Sequence, residues 1–76
     1  MDRTDTASIA ISVNGERREV AAGSTVLDVA RACGLRDDER GVAIARRGAV
    51  VRRADWATTA VAPDDALEVV RATAGG

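Results

Sequence analysis

The sequence has no histidine, lysine, phenylalanine or tyrosine, and only one cysteine, one proline and one tryptophan in 76 residues. Each shortage removes a class of chemistry. Without histidine, neither a Ser/His nor a Cys/His nucleophile pair can be assembled from this chain. The lone Cys33 excludes an internal disulfide framework, and a Cys/His zinc site is excluded with it. The absence of lysine leaves no ε-amine on which this chain's own side chains could accept an isopeptide bond. With Trp56 the only aromatic residue, the core must be Val, Ile, Leu and Ala. A chain this short buries only about 60% of its unfolded surface. That is enough for a sheet and one helix but not for a deep catalytic cleft, so a standalone enzyme is the least favoured class.

Charge and hydropathy exclude more. Eleven arginines face twelve acids for a net charge of −1, so no excess positive field draws in nucleic acid. Apolar runs such as "AVV" and "VAIA" are far below the roughly 20 residues that span a membrane. The opening "MDRTDTASIAIS" carries acids where a secretory leader is basic and then apolar. The expectation is a cytoplasmic protein with neither nucleic acid nor membrane as a partner.

What is present organises into one domain. Residues 1–7 are polar and expected to be a flexible lead-in, followed by a domain over residues 8–72 and a flexible tail over residues 73–76. Ile9, Ile11 and Val13 alternate with Ala10, Ser12 and Asn14, which is strand period. Asn14-Gly15 then gives the strongest short hairpin signal, because both turn positions accept φ > 0. The return strand, Glu16 to Ala21, is charged at four of six positions and reads as an edge strand.

"GSTVLDVARACGL" reads as a helix with both ends marked. Ser24 or Thr25 can cap it, and Thr25-x-x-Asp28 fits a capping box. Val26, Val29, Ala30 and Cys33 form one buried stripe, widened by Leu27. On that stripe Cys33 reads as a small hydrophobe. Gly34 supplies a left-handed stop, with Leu35 folding back as its apolar partner.

Further on, Val42 and Ile44 alternate with Ala43 and Ala45. Ala49 to Val51 begins a short strand, and Leu67 and Val69 alternate with Glu68 and Val70 in a last one. Between them "RRADWATTAVAPDD" reads as irregular, with a turn at Pro63-Asp64-Asp65. Asp37-Asp38-Glu39 reads as a solvated loop, lacking the glycine and spacing of a calcium site. A hairpin, a helix crossing one face and further strands give a two-layer α+β domain, with a right-handed crossover expected between the hairpin and the third strand. With Val42, Ile44, Leu67 and Val69 facing the helix, Val70, Ala43 and Ala45 should line an open face. That face is a candidate docking patch, with Arg71 and Glu68 as rim charges. Trp56 and Arg53 are read as structural.

The element order and size resemble the ubiquitin-like β-grasp fold: a mixed sheet of four to five strands packed on one helix. Within that group, "VVRRADWA" (Val50 to Ala57) and "DDALEVVRATAGG" (Asp64 to Gly76) resemble the two signature stretches of the ThiS family, the sulfur carriers of thiamine biosynthesis. "ISVNGERREVAAGSTVLDV" is similar to the family's first hairpin and capped helix. The Arg53-x-x-Trp56 element points to this family among the carriers that share a Gly-Gly end. The chain departs from the pattern at Arg52, where proline is usual, at Arg46, where asparagine is frequent, and at Asp64, where glycine is usual.

The resemblance implies a role for the last residues. Gly76 would be adenylated and converted to a thiocarboxylate, Gly75 would give access to a narrow channel, and Thr73 and Ala74 would contact the partner along with Val70, Ala43, Ala45 and Arg71. The chain would then be a protein cosubstrate, binding no cofactor itself, while its activating partner uses ATP. The implied partners are a ThiF-like, E1-type adenylating enzyme, a thiazole-synthase-like acceptor, and a sulfur donor such as a cysteine desulfurase or rhodanese. Alternatives are a carrier serving molybdopterin or a specialised metabolite, a ubiquitin-like modifier joined to target lysines, and an interaction domain with an idle terminus.

Overall fold

The computed structural model describes residues 7–36 and 38–72. Strands β1 (Ser8–Val13) and β2 (Glu16–Ala21) form the hairpin expected from Asn14-Gly15. Both turn residues sit in the left-handed region, at φ 52° and 83°, so the twist of the turn matches that of the strands. β2 is exposed along nearly its whole length, which its charges tolerate.

Helix α1 (Val26–Ala32) begins and ends where its punctuation says. Thr25 Oγ1 accepts from Asp28 N–H at 3.2 Å, and Asp28 Oδ2 accepts from Thr25 N–H at 2.9 Å, completing a capping box. The bond from the Thr25 N–H, helped by the Thr25 side chain, holds the Asp28 carboxyl below its ordinary value. At the other end Gly34 takes φ 89°. Its N–H donates to Arg31 O and that of Leu35 to Ala30 O, each at 3.0 Å. This is a Schellman stop, and it turns Leu35 into the core. Cys33 is the C-cap residue and only half-buried, a small apolar side chain packed at the margin of the core.

Strands β3 (Val42–Arg46), β4 (Ala49–Val51) and β5 (Ala66–Arg71) complete a five-stranded mixed sheet in the order β2-β1-β5-β3-β4. β5 enters the centre, parallel to β1 and antiparallel to β3. Ile11, Val13, Ile44 and Leu67 from the sheet meet Val26, Val29, Ala30 and Leu35, with Trp56 and Val61 closing one end.

The stretch from Arg52 to Asp65 is more ordered than its irregular composition predicts. Arg53–Thr58 is a 3₁₀ helix that buries Trp56, whose Nε1 donates to Val51 O at 2.9 Å. Thr25 and Ala60 form an isolated antiparallel bridge, so Val26 N–H donates to Thr59 O and Val61 N–H to Ser24 O. With no phenylalanine or tyrosine to fill the space, the core is closed by this segment folding over it.

The turn expected at Pro63-Asp64-Asp65 is present, but nothing in the sequence signalled what Asp65 does there. That residue is fully buried. Its Oδ2 accepts from Arg46 Nε at 2.7 Å and from Ala62 N–H at 2.8 Å. Its Oδ1 faces Arg47 Nε at 2.9 Å as an ion pair, without a well-aligned hydrogen bond. Burial pushes this carboxyl up. The Ala62 N–H, the hydrogen bond and charge of Arg46, and the charge of Arg47 together outweigh burial and hold it below its ordinary value.

A lowered carboxyl value makes stability depend on acid. Below about pH 4 the unfolded chain binds a proton at Asp65 that the folded chain resists, so stability drops as pH falls. Both arginines can turn to solvent, so replacing Asp65 costs the lost bonds rather than two stranded charges. Asp65→Asn should cost about 1–3 kcal/mol at neutral pH and should flatten the decline of Tm between about pH 5 and pH 2. A variant whose Tm falls with pH as steeply as the parent's would contradict this role.

Candidate functional site

The candidate site is built on β5, the last strand before residues 73–76 in sequence. Its side chains alternate between faces. Leu67 and Val69 pack toward the helix, whereas Glu68 and Val70 stand on the open face. In register with them, Ala43 lies opposite Val70 and Ala45 opposite Glu68. Val50 lies opposite Ala45 from the other side. Val50 and Val70, 70% and 58% exposed, are the exposed large hydrophobics among the described residues. The β4-β3-β5 half of the open face is thus an apolar patch of Val50, Ala45, Ala43 and Val70, interrupted by Glu68. On the β1-β2 half, Ser12 opposite Arg17 and Ala10 opposite Glu19 make the same face polar.

Val70, Ala43 and Ala45 therefore come together as the alternation required. Arg71 does not join them. It lies in register with Val42, on the helix side of the sheet, where its Nε is 3.7 Å from Glu39 Oε2. The rim charge beside Val70 is Glu68. Arg71 instead borders a hollow of about 370 Å³ whose walls include Val13, Cys33, Val69 and Arg18. Thr73, Ala74, Gly75 and Gly76 lie outside the described residues, as do residues 1–6 of the lead-in expected over residues 1–7.

The root of the tail is held from both sides. Ser12 N–H donates to Asp65 O and Asn14 N–H to Leu67 O, each at 2.9 Å. Where β1 ends, the Asn14 side chain replaces it: Val69 N–H donates to Asn14 Oδ1 at 2.8 Å, and Asn14 Nδ2 donates to Val69 O at 3.4 Å. At the last described residue, Ala72 N–H donates to Gly41 O at 2.6 Å. Gly41 has φ 73°, and a Cβ there would sit 3.4 Å from the Ala72 methyl. Among the described residues, no cluster of three or more acidic, cysteine or histidine side chains could hold a metal ion. No described helix is long and apolar enough to cross a membrane.

A five-stranded mixed sheet grasping one helix, with a parallel central pair, defines a ubiquitin-like β-grasp protein. The comparisons narrow this. The ThiS family model matches residues 11–76, and the chain belongs to that family of small sulfur carriers in thiamine biosynthesis. The crystal structure of the thiamine biosynthesis protein ThiS from Geobacter metallireducens matches with a TM-score of 0.74 at 26% identity, covering 90% of this chain and 100% of that one. No curated protein matches the sequence significantly.

The departures from the family pattern have local explanations. Asp64 has φ 68°, a conformation that favours glycine and that aspartate tolerates better than most residues. Arg52 sits at φ −63°, ψ 144°, which is the backbone a proline would impose. Arg46 turns its guanidinium onto the buried Asp65. Two participants were missed by sequence reasoning. Val50 gave a signal in its alternation with Val51, but a three-residue strand is too short to fix which face it shows. Glu39, read as solvated, is half-buried, accepts from Arg36 N–H and is ion-paired with Arg71.

If the patch is a surface rather than a core, acids will be tolerated there. Val70→Asp and Val50→Asp should each change stability by no more than about 0.5 kcal/mol, whereas Ile44→Ala should cost about 2–5 kcal/mol. Thermal melts check this, and a Val70→Asp loss as large as that of Ile44→Ala would mean that the two faces are reversed.

Proposed function

We propose that this chain carries sulfur on the carboxylate of Gly76, which an E1-type enzyme adenylates and converts to a thiocarboxylate for the thiazole of thiamine. The observation that carries the reading is the family match, which runs unbroken through Gly76. The fold is consistent with it: β5 (Ala66–Arg71), the last strand before residues 73–76 in sequence, lies at the centre of the sheet.

The chemistry follows from an inert group made reactive. A C-terminal carboxylate has a pKa of about 3.5 and is ionised at neutral pH. Held against ATP by the partner, a carboxylate oxygen attacks the α-phosphorus and pyrophosphate leaves, giving an acyl-adenylate. Sulfide then displaces AMP and leaves –COS⁻. If the donor is a persulfide, an acyl disulfide forms first, and a thiol reduces its S–S bond to release the same thiocarboxylate.

Gly75 and Gly76 suit this because neither has a Cβ, so the backbone can pass through a narrow channel and approach the nucleotide. Residues 73–76 can extend about 13 Å beyond Ala72, enough to reach a neighbouring active site. The Val70, Ala43, Ala45 and Val50 patch is the docking face of this reading, with Glu68 setting polarity at its rim. The activating enzyme supplies the ATP site, and a thiazole synthase takes the sulfur.

The test is ATP–pyrophosphate exchange catalysed by the cognate activating enzyme, with protein ending at Gly76. Deleting Gly76, or adding one residue after it, should abolish exchange with the melting curve unchanged. Val70→Asp should weaken binding about tenfold, on the order of 1.4 kcal/mol. Full exchange with the Gly76 deletion would refute the assignment.

A further inference from the structure

The Arg53-x-x-Trp56 element marks the family signature, yet neither residue lies on the open face or in the tail. Trp56 is buried with its Nε1 bonded to Val51 O. Its ring forms a platform, and the Arg53 guanidinium lies over it at 4.2 Å, the arrangement of a cation–π pair. From that platform Arg53 Nη2 donates to Glu39 O at 2.6 Å. Glu39 belongs to the loop that precedes β3, and the same loop grips the end of β5. Its Oε1 accepts from Arg36 N–H at 3.2 Å and closes the turn, while Oε2 pairs with Arg71 at 3.7 Å. Two residues on, Gly41 O accepts from Ala72 N–H, and a Cβ at Gly41 would touch the Ala72 methyl.

A continuous set of contacts thus runs from Trp56 through Arg53 and Glu39 to Arg71 and Ala72. We infer that Arg53 and Glu39 are positioning residues: they hold the 39–41 loop against Ala72 and thereby fix the root from which residues 73–76 continue. The inference deepens the proposed carrier function and rests on it for its catalytic consequence. The physical need is plain. Ala72 lies beyond the part of β5 that β1 and the Asn14 side chain support. From there on, the 39–41 loop is the support on the β3 side. An Arg71–Glu39 pair at 3.7 Å with the arginine in solvent is worth little by itself, so the loop must be anchored independently. The Arg53 guanidinium can do this because its planar fork stacks and donates at once, which a lysine ammonium cannot do in the same geometry.

Two readouts test the inference in the full chain. The first needs no partner: amide hydrogen exchange at Ala72, measured by NMR, with Ser12 N–H, bonded to Asp65 O, as the internal control. Arg53→Gln should speed exchange at Ala72 about tenfold. Glu39→Gln keeps the backbone carbonyl that Arg53 grips and should speed it by about two- to threefold, and both should leave Ser12 unchanged. Glu39→Gln removes charge from a loop outside the core, so the fold survives even if Arg53→Gln lowers stability.

The second readout is adenylation by the activating enzyme. A displaced root should lower kcat about tenfold, with KM for the carrier within about twofold of the parent value because the docking patch is intact. Unchanged Ala72 exchange in both variants would overturn the inference. So would a raised KM with normal kcat, since that would make these residues partner contacts. Parent protein that is never adenylated would refute the carrier reading instead, and the exchange result would still decide whether the root is held as described.

Discussion

The placement of β5 between β1 and β3 is the constraint on which the rest of this molecule depends. Under the proposed function, the strand that leads to the tail must be rigid where the tail begins, yet the end itself must be free to enter another protein. Parallel pairing with β1 and antiparallel pairing with β3 fix the first half of β5 on both edges. Asp65 locks its entry through Arg46 and Arg47. Asn14 continues the support past the end of β1, and Gly41 meets the last described residue. The hairpin turn therefore has a second task. Its asparagine accepts left-handed φ and also lends its side-chain amide to a strand 55 residues away in sequence.

Much of this was legible in the sequence, and the reasons are local. Asn14-Gly15, the Thr25-x-x-Asp28 box and the Gly34-Leu35 stop all act through neighbouring backbone groups, so their chemistry can be read without knowing the fold. The period-two alternation placed Val70, Ala43 and Ala45 on one face and Ile44 and Leu67 on the other. Asp65 was not legible. Its burial depends on two arginines from a different strand and turn, and nothing within Pro63-Asp64-Asp65 distinguishes a solvated turn from a charged anchor. Glu39 was missed for the same reason, because its partners Arg53 and Arg71 are distant in sequence. Arg71 shows a subtler limit. Its face followed from the alternation, but a patch defined by sequence proximity to Val70 drew it to the wrong side.

The poverty of the core shapes where order comes from. With one aromatic residue, the domain uses Trp56 twice: its body seals the core, and its face carries Arg53. Polar anchors then do what larger apolar side chains do elsewhere, with Asp65 inside the sheet margin and the Thr25–Ala60 bridge tying the 3₁₀ segment to the start of the helix. The same economy explains why the chain is a carrier rather than a catalyst. In the proposed function it supplies a fold, a docking face and a reactive end, and nucleotide binding and acid–base chemistry fall to a partner.

The most direct measurement is the intact mass of the protein after incubation with its activating enzyme, ATP and a sulfur donor. The account predicts one product, the free protein with a single carboxylate oxygen replaced by sulfur, which a thiol-alkylating reagent converts to the corresponding adduct. Lysine-linked conjugates of higher mass, with no sulfur-bearing form of the free protein, would contradict it.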